Sequence, residues 1–431
     1  MAAARSASRV CAFPASRGRA GEGEEPAAIP LTYRFVRGYS SITYGSVCAR
    51  RPGRVAMAAA PAPATPSALP SGSGSPAAPG AREVARRFAP HLLAFWFPGN
   101  AFLFLATGPH PWWGALLFVV PLVVGHWLDT QPWTERREPP VRLPAWPFDL
   151  LVYALSALQL VNVALLARLF AGQGVLSLDF VLSVLVVGAS SGYQIITAHE
   201  LIHRRSRGEQ LLGRALLCSV LYEHFFTEHL RGHHARVGTA EDPATARFGE
   251  SFFRFYRRTV PAQFRSAWRL EKQRLGDASM SNLDPRLLRS RVLHGLVVEW
   301  GVAAAIAVVA GPVAFVAFLL QAAFATRLLE VVNYFEHWGL ERRGPRVTPA
   351  DSWDTHSWFT YYALIGLSRH ADHHAHGTRP YQALRVREEA PILPRGYIGM
   401  IPLVLALNRR FQRLATEELQ RRKLGPFREA A

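Results

Sequence analysis

The sequence predicts an all-α integral membrane protein, a six-transmembrane-helix bundle that carries a histidine-rich metal site on its cytosolic side. Three observations predict it. Apolar residues make up 49% of the 431-residue chain, and they gather in six stretches of about twenty, the length that crosses a roughly 30 Å hydrocarbon core. The connections between these stretches alternate between neutral and basic. Four tight groups of histidine fall at the ends of the stretches or beyond them, all on the side that the charge pattern places in the cytosol.

Residues 1–85 are rich in Ala, Pro, Gly, Ser and Arg and show no apolar period. Such a composition cannot bury enough surface to offset chain entropy, so a disordered low-complexity extension is expected there. The first twenty residues are Arg-rich and Ser-containing, a faint likeness to an organelle transit peptide. Met57 opens a second plausible start, Met-Ala-Ala-Ala-Pro. No function is assigned to this segment. Residues 86–431 are expected to form one membrane domain.

The six apolar segments run about Phe88–Thr107, Trp112–Leu128, Phe148–Phe170, Leu178–Ala198, Leu293–Ala310 and Pro312–Val332. Gly108-Pro109-His110-Pro111 joins the first two, and Gly311-Pro312 joins the last two. Both are turn sequences that allow helical hairpins. The connections 108–111 and 171–177 carry no Lys or Arg, whereas 129–147 carries Arg136, Arg137 and Arg142. The 199–292 segment holds seventeen Lys and Arg against ten Asp and Glu, and the tail beyond 333 holds fifteen basic residues. By the positive-inside rule the basic connections and both termini are cytosolic.

That distribution also accounts for the net charge of +18 without nucleic acid, for which no binding module is present. The three cysteines, Cys11, Cys48 and Cys218, are too few and scattered for a disulfide framework or a four-thiolate metal site. Any redox cofactor built on cysteine must come from another chain. Apart from Asp149, Arg168 and Asp179 near segment ends, three charges lie within the apolar segments. Arg327 and Glu330, three apart, can meet on one helix face. Glu299 lies about two turns into the fifth segment, where an ionisable group is either functional or an ion pair reaching the interface.

Nine of the sixteen histidines form the four groups. His199-Glu-Leu-Ile-His203 ends the fourth segment. Glu228-His229-Leu-Arg-Gly-His233-His234 precedes the fifth. Asn333-Tyr-Phe-Glu336-His337 ends the sixth, and Arg369-His370-Ala-Asp372-His373-His374 lies in the tail. His199/His203, His229/His233 and His370/His374 are spaced i,i+4 and His370/His373 i,i+3, the spacings that share a helix face. The adjacent pairs 233–234 and 373–374 can reach two different centres. Nine imidazoles exceed what one metal takes, since a catalytic zinc uses three protein ligands. Two metals with four or five nitrogens each fit the count. Because imidazoles are neutral, some of the nearby carboxylates Glu200, Glu228, Glu241, Asp242, Glu336 and Asp372 are expected to accept the distal ring N–H bonds and offset the metal charge.

Over about Phe88 to Leu384 the chain resembles the membrane-bound alkane monooxygenases, relatives of the fatty-acid desaturase and hydroxylase superfamily. His199–His203, Glu228–His234, Asn333–Leu340 and Arg369–His374, followed by Arg379-Pro-Tyr-Gln-Ala-Leu384, carry the resemblance. It implies that His199, His203, His229, His233, His234, His337, His370, His373 and His374 ligate two iron ions. It also implies O2-dependent hydroxylation of a terminal methyl group on an alkane or alkyl chain, in a bacterial inner membrane. Electrons would come from a separate rubredoxin or ferredoxin and its NAD(P)H reductase, steered by the basic cytosolic face. An apolar substrate already dissolved in lipid would enter between spans. The chain departs from the family pattern at Trp338, where tyrosine is usual, at Ser368, where glutamine is usual, and in a shortened stretch after His356-Ser-Trp358. These departures touch substrate choice more than chemistry. Besides a non-enzymatic metal-storing or sensing membrane protein, two other readings remain open at this point. One is a desaturase or lipid hydroxylase of the same superfamily. The other is a membrane zinc protease with Glu200 as general base, which leaves seven histidines unexplained.

Overall fold

The computed structural model describes residues 79–140, 143–174 and 177–428. Most of the expected extension, Arg142, Cys11 and Cys48 lie outside the described residues. Among those described there is no strand beyond two isolated bridges, Thr134 with Ser357 and Asp354 with Ile392, and the fold is helical throughout. Five helices are long and apolar enough to cross a membrane: α1 Ala81–Thr107, α2 Trp112–Asp129, α3 Trp146–Phe170, α4 Leu178–Ile202 and α7 Arg291–His337. Between the last two lie α5, Arg207–Cys218, and α6, Phe252–Arg274. The short helices α8 Trp358–Ala363 and α9 His370–Ala375 follow, then α10 Tyr397–Leu405 and α11 Asn408–Arg422. This is an integral membrane protein.

One boundary differs from the sequence reading, and the turn at Gly311 agrees with it. Helix α1 begins at Ala81, so the boundary expected at 85 falls inside it. Its first turns are polar, with Glu83 paired to Arg86 and Arg87, and carry no apolar period to read. The fifth and sixth apolar segments form one element of 47 residues, α7, broken at Gly311 (φ 86°, ψ 177°), a conformation open to glycine. Along an unbroken helix Glu299 and Glu330 would stand ~46 Å apart at 1.5 Å per residue. Yet Glu299 accepts the N–H of Glu223, and Glu330 accepts the hydroxyl of Tyr222, the neighbouring residue. The chain therefore folds back at Gly311 into two packed arms.

Helix α4 is the most buried of the five candidate spans, and its packing is set by small residues. Gly188-Ala-Ser-Ser-Gly192 faces the second arm of α7. A Cβ on Gly188 would lie 2.8 Å from Phe324 Cβ, and one on Gly192 would lie 2.9 Å from Leu328 Cδ1. Small residues at this spacing let two backbones approach where lipid offers no hydrophobic drive for association. Buried amides tie the other helices in. Gln159 donates to Ser191 and Ser219, Gln194 to the Leu155 carbonyl, Gln321 to the Ser219 carbonyl, and Asn162 to the Pro98 carbonyl.

Beyond α7 the chain packs as a cap on one end of the bundle around Trp338, Trp353, Tyr397 and Phe411. Asp129, at the end of α2, fastens this cap. Its carboxylate accepts from Ser357 and Thr360, both at 2.6 Å, and from the Gly399 N–H at 2.9 Å. The His356-Ser-Trp358 element thus joins the α2–α3 connection to the cap and makes no contact with the histidine groups.

Candidate metal centre

All nine singled-out histidines converge at the same end of the bundle. Four elements bring them there: the C-terminus of α4, a π-helical turn Glu228–His233, the C-terminus of α7, and α9. The nitrogens sort into two groups. One holds His199, His203, His229, His234 and His373, and the other His233, His337, His370 and His374, with candidate donor atoms in each group within 4.8 Å of one another.

The sorting departs from the i,i+4 expectation in one place. His229 and His233 do not share a group, because the chain there runs as a π-turn with a wider i,i+5 repeat. That repeat puts His234, not His233, beside His229. His233 turns to the second group, where its ring lies 4.7 Å from His337 and 4.9 Å from His374 between centroids. His370 and His374 stay together, one helical turn apart, while His373 crosses to the first group.

Within the first group the Nε2 atoms of His203 and His229 are 3.0 Å apart, those of His229 and His234 3.1 Å, and those of His234 and His373 3.1 Å. In the second, His370 Nε2 lies 3.2 Å from His337 Nε2 and 3.0 Å from His374 Nε2. A ring nitrogen carries either a proton or a lone pair, never both. His229, His234 and His370 each face two other Nε2 atoms, so donor–acceptor pairing cannot satisfy the set well. A shared cation can. Nitrogens bound to one metal at ~2.1 Å stand ~3.0 Å apart when the angle at the metal is near a right angle. The Nε2 atoms of His199 and His233 are buried without any partner. These donors fit two metal ions.

The electrostatics agree. Burial pushes the imidazoles of His203, His229, His234, His370, His373 and His374 well below their ordinary range, and crowding by the neighbouring rings adds to it. The rings are held neutral, the form that binds metal.

The six carboxylates divide sharply. Asp242 accepts from His233 Nδ1 at 2.9 Å and from Thr245 at 2.6 Å. Burial opposes its charge, but His233 and Thr245 outweigh this and hold the carboxyl down at about 2. Glu336 Oε2 lies 3.4 Å from His370 Nε2, and its Oε1 is buried without a partner. The other four do not touch the nine rings. Glu200 is held by Arg204 and Glu228 by Arg236, while Glu241 is exposed. Asp372 faces away, to Arg379, Arg387, the Arg385 N–H and His376, a side chain spacing did not single out. Glu200, the base a zinc protease would need, is thus engaged outside the rings. Sequence reasoning missed Asp354, which accepts the Ala371 N–H at 2.7 Å and so fixes the start of α9. Burial pushes its carboxyl up to about 8. No spacing signal marks it, because its partner is a backbone group.

The charges within the apolar segments also separate. Arg327 is exposed and sits over the Tyr256 ring rather than meeting Glu330. Glu330 is fully buried and accepts from Tyr222, Gln263 and Asn333 at 2.9, 2.9 and 3.2 Å. Spacing allows the pair to meet, but the polar partners of Glu330 and the Tyr256 ring under Arg327 draw the two side chains apart.

A narrow apolar pocket opens from the histidines into the bundle. His199, His229, His370 and Glu336 line its metal end. Tyr193, Ile196, Leu328, Val332, Leu364, Leu367 and Ile401 make the remainder almost wholly apolar. Gly192, on its wall, lies ~10 Å from His199 along α4. Neither Trp338 nor Ser368 lines it. Trp338 instead packs against Phe248 and Phe411 in the cap.

The amino-acid sequence that builds this arrangement is similar to those of known proteins. The family model described as fatty acid desaturase matches residues 176–403. Alkane 1-monooxygenase 2 of Alcanivorax borkumensis is 33% identical over 342 residues, covering 73% of this chain and 86% of that protein. Alkane 1-monooxygenase 1 of Pseudomonas aeruginosa is 40% identical over 237 residues, covering 53% of this chain and 60% of that protein. Alkane 1-monooxygenase 1 of A. borkumensis is 34% identical over 316 residues, or 69% and 76% of the two chains.

Proposed function

Because the chain belongs to the alkane 1-monooxygenase family, we propose that it hydroxylates the terminal methyl group of an alkane or alkyl chain at a histidine-held pair of irons. One oxygen atom of O2 enters the C–H bond and the other leaves as water, with two electrons and two protons consumed. The observation that carries this reading is the junction of two buried imidazole groups with an apolar pocket.

His199, His203, His229, His234 and His373 would hold one iron, and His233, His337, His370 and His374 the other. When bound, the iron pair supplies the activation of O2. The remaining work belongs to this chain's residues. Asp242 accepts the His233 Nδ1–H, which leaves the Nε2 lone pair aimed into the second group. Glu336 stands beside His370 at the cavity mouth, where a carboxylate can complete the donor set and offset charge. Ile196, Leu328, Val332 and Ile401 shape a dry slot. The slot has no charged group along its length to hold a polar head, so a slim hydrocarbon can lie in it with its methyl end toward the histidines.

We read the two arms of α7 as separate spans, which makes six. The alternating charges of the connections then place both termini and the metal centre in the cytosol of a bacterial inner membrane. Residues 86–431 act as one catalytic domain, and the substrate arrives from the lipid. The electron donor is a separate rubredoxin or ferredoxin served by an NAD(P)H reductase, since the chain has no cluster of thiolates. Purified protein supplied with rubredoxin, reductase, NADH and a series of alkanes should yield primary alcohols with matched O2 uptake. Alkenes as products would favour the desaturase reading, and an absence of oxygen uptake with peptide cleavage would favour the protease.

A further inference from the structure

Away from the metal centre, an open cleft lies between α6 and the start of α7. Arg265, Trp268, Arg269 and Lys272 follow an i, i+3, i+4, i+7 pattern and present one face of α6 to it. Among the described residues, neither Arg265 nor Arg269 has a carboxylate within salt-bridge distance. Lys272 spends one of its three donors on the Met280 carbonyl at 2.7 Å. The Trp268 indole donates to Asn282 at 3.0 Å, which fixes the ring at the rim. Two apolar side chains complete the lining, Phe264 from α6, stacked on Trp268, and Leu296 from α7 across the cleft. From Leu296 the apolar surface runs on to Val297 and Trp300, which are 65% and 54% exposed on the outside of a membrane-crossing arm.

We propose that this cleft is a binding site for one anionic phospholipid. A guanidinium pair and an ammonium at one end, continuous with a lipid-facing apolar wall at the other, match an amphiphile with a phosphodiester head and an acyl chain. The hydrocarbon substrate has no anion to meet the three cations. A free phosphate has no use for the apolar wall. A zwitterionic lipid brings its own ammonium against the arginines, so a head without an amine is favoured. Basic pockets at the ends of membrane helices hold such heads by charge and hydrogen bonds together.

Native mass spectrometry of the intact detergent-solubilised protein tests the site. One phosphatidylglycerol should stay bound under conditions that strip phosphatidylcholine. The combined Arg265→Gln, Arg269→Gln and Lys272→Gln variant should bind phosphatidylglycerol on the order of 100-fold more weakly. Arg409→Gln, Arg410→Gln and Arg413→Gln, the same charge loss on exposed positions of α11, should bind it as the parent does. A second arm leaves the cations intact. Brominated phosphatidylglycerol in nanodiscs should quench tryptophan fluorescence beyond brominated phosphatidylcholine, and Trp268→Phe should remove the difference. Equal retention of both lipids, equal loss in both charge variants, displacement by millimolar inorganic phosphate, or no lipid-specific quenching would each overturn the proposal.

Discussion

The Nε2 atoms of His229 and His234 lie 3.1 Å apart across a single π-turn. That one relationship separates the centre into two groups. An α-helical run through the same residues would place His229 above His233 and leave His234 facing elsewhere. The wider turn lets adjacent residues, His233 and His234, turn to different groups from one short stretch of backbone.

Asp242 is the carboxylate that orders this stretch, and Asp242→Asn keeps its shape while removing its charge. The substitution is expected to weaken metal binding about 10–100-fold. Metal competition with a calibrated chelator checks this, and an unchanged affinity would show that His233 needs no such partner.

The cavity should set how much hydrocarbon fits. Ile196→Trp or Ile401→Trp, both on its apolar wall, should shift the product distribution toward shorter alcohols while leaving bound metal unchanged. Gas chromatography of products from a mixed-alkane assay gives the answer. If long and short alkanes lose turnover in equal proportion, the slot does not hold the chain.

Close packing of α4 on α7 should be felt in stability. Gly188→Ala pushes a methyl group into Phe324, and overpacking of this kind costs about 1–3 kcal/mol. Gly99→Ala, where a Cβ meets nothing within 4 Å, is the matched control. Thermal unfolding in one detergent should show a lower midpoint for the first variant only.

Acid should loosen the α2–α3 connection. Glu135 accepts from Arg137 and from the Tyr362 hydroxyl at 2.6 Å. Burial opposes its charge, but these partners outweigh it and lower the carboxyl to about 2. The native value lies below the unfolded one of about 4.3, so the stabilisation is full above the unfolded value. It is lost as pH falls through the window from there to about 2. Glu135→Gln should flatten the midpoint's pH dependence across that window, and a variant that melts with the parent's pH slope would contradict this.

The sequence was most legible where period and charge act locally. The apolar lengths marked α1 to α4 to within a few residues, save for the polar opening of α1. The clustering of the nine histidines at one end of the bundle was legible in the same way, since two groups end apolar segments and the other two lie in stretches that the charge pattern puts on the same side. What stayed hidden depends on contacts far apart in the chain. The π-turn has no composition signal, Asp354 acts on a backbone N–H seventeen residues on, and Arg327 and Glu330 diverge because of what packs around them. Four of the six candidate carboxylates meet arginines, solvent or, for Asp372, also His376 instead of the nine clustered imidazoles, a choice that proximity in sequence cannot make.

Metal analysis joined to Mössbauer spectroscopy of 57Fe-grown, purified protein tests the central claim most directly. Two irons per chain in nitrogen-rich coordination are predicted, with His233→Ala and His234→Ala each lowering occupancy at a different one of two resolved sites. A single zinc per chain, or one metal lost identically in both variants, would contradict it.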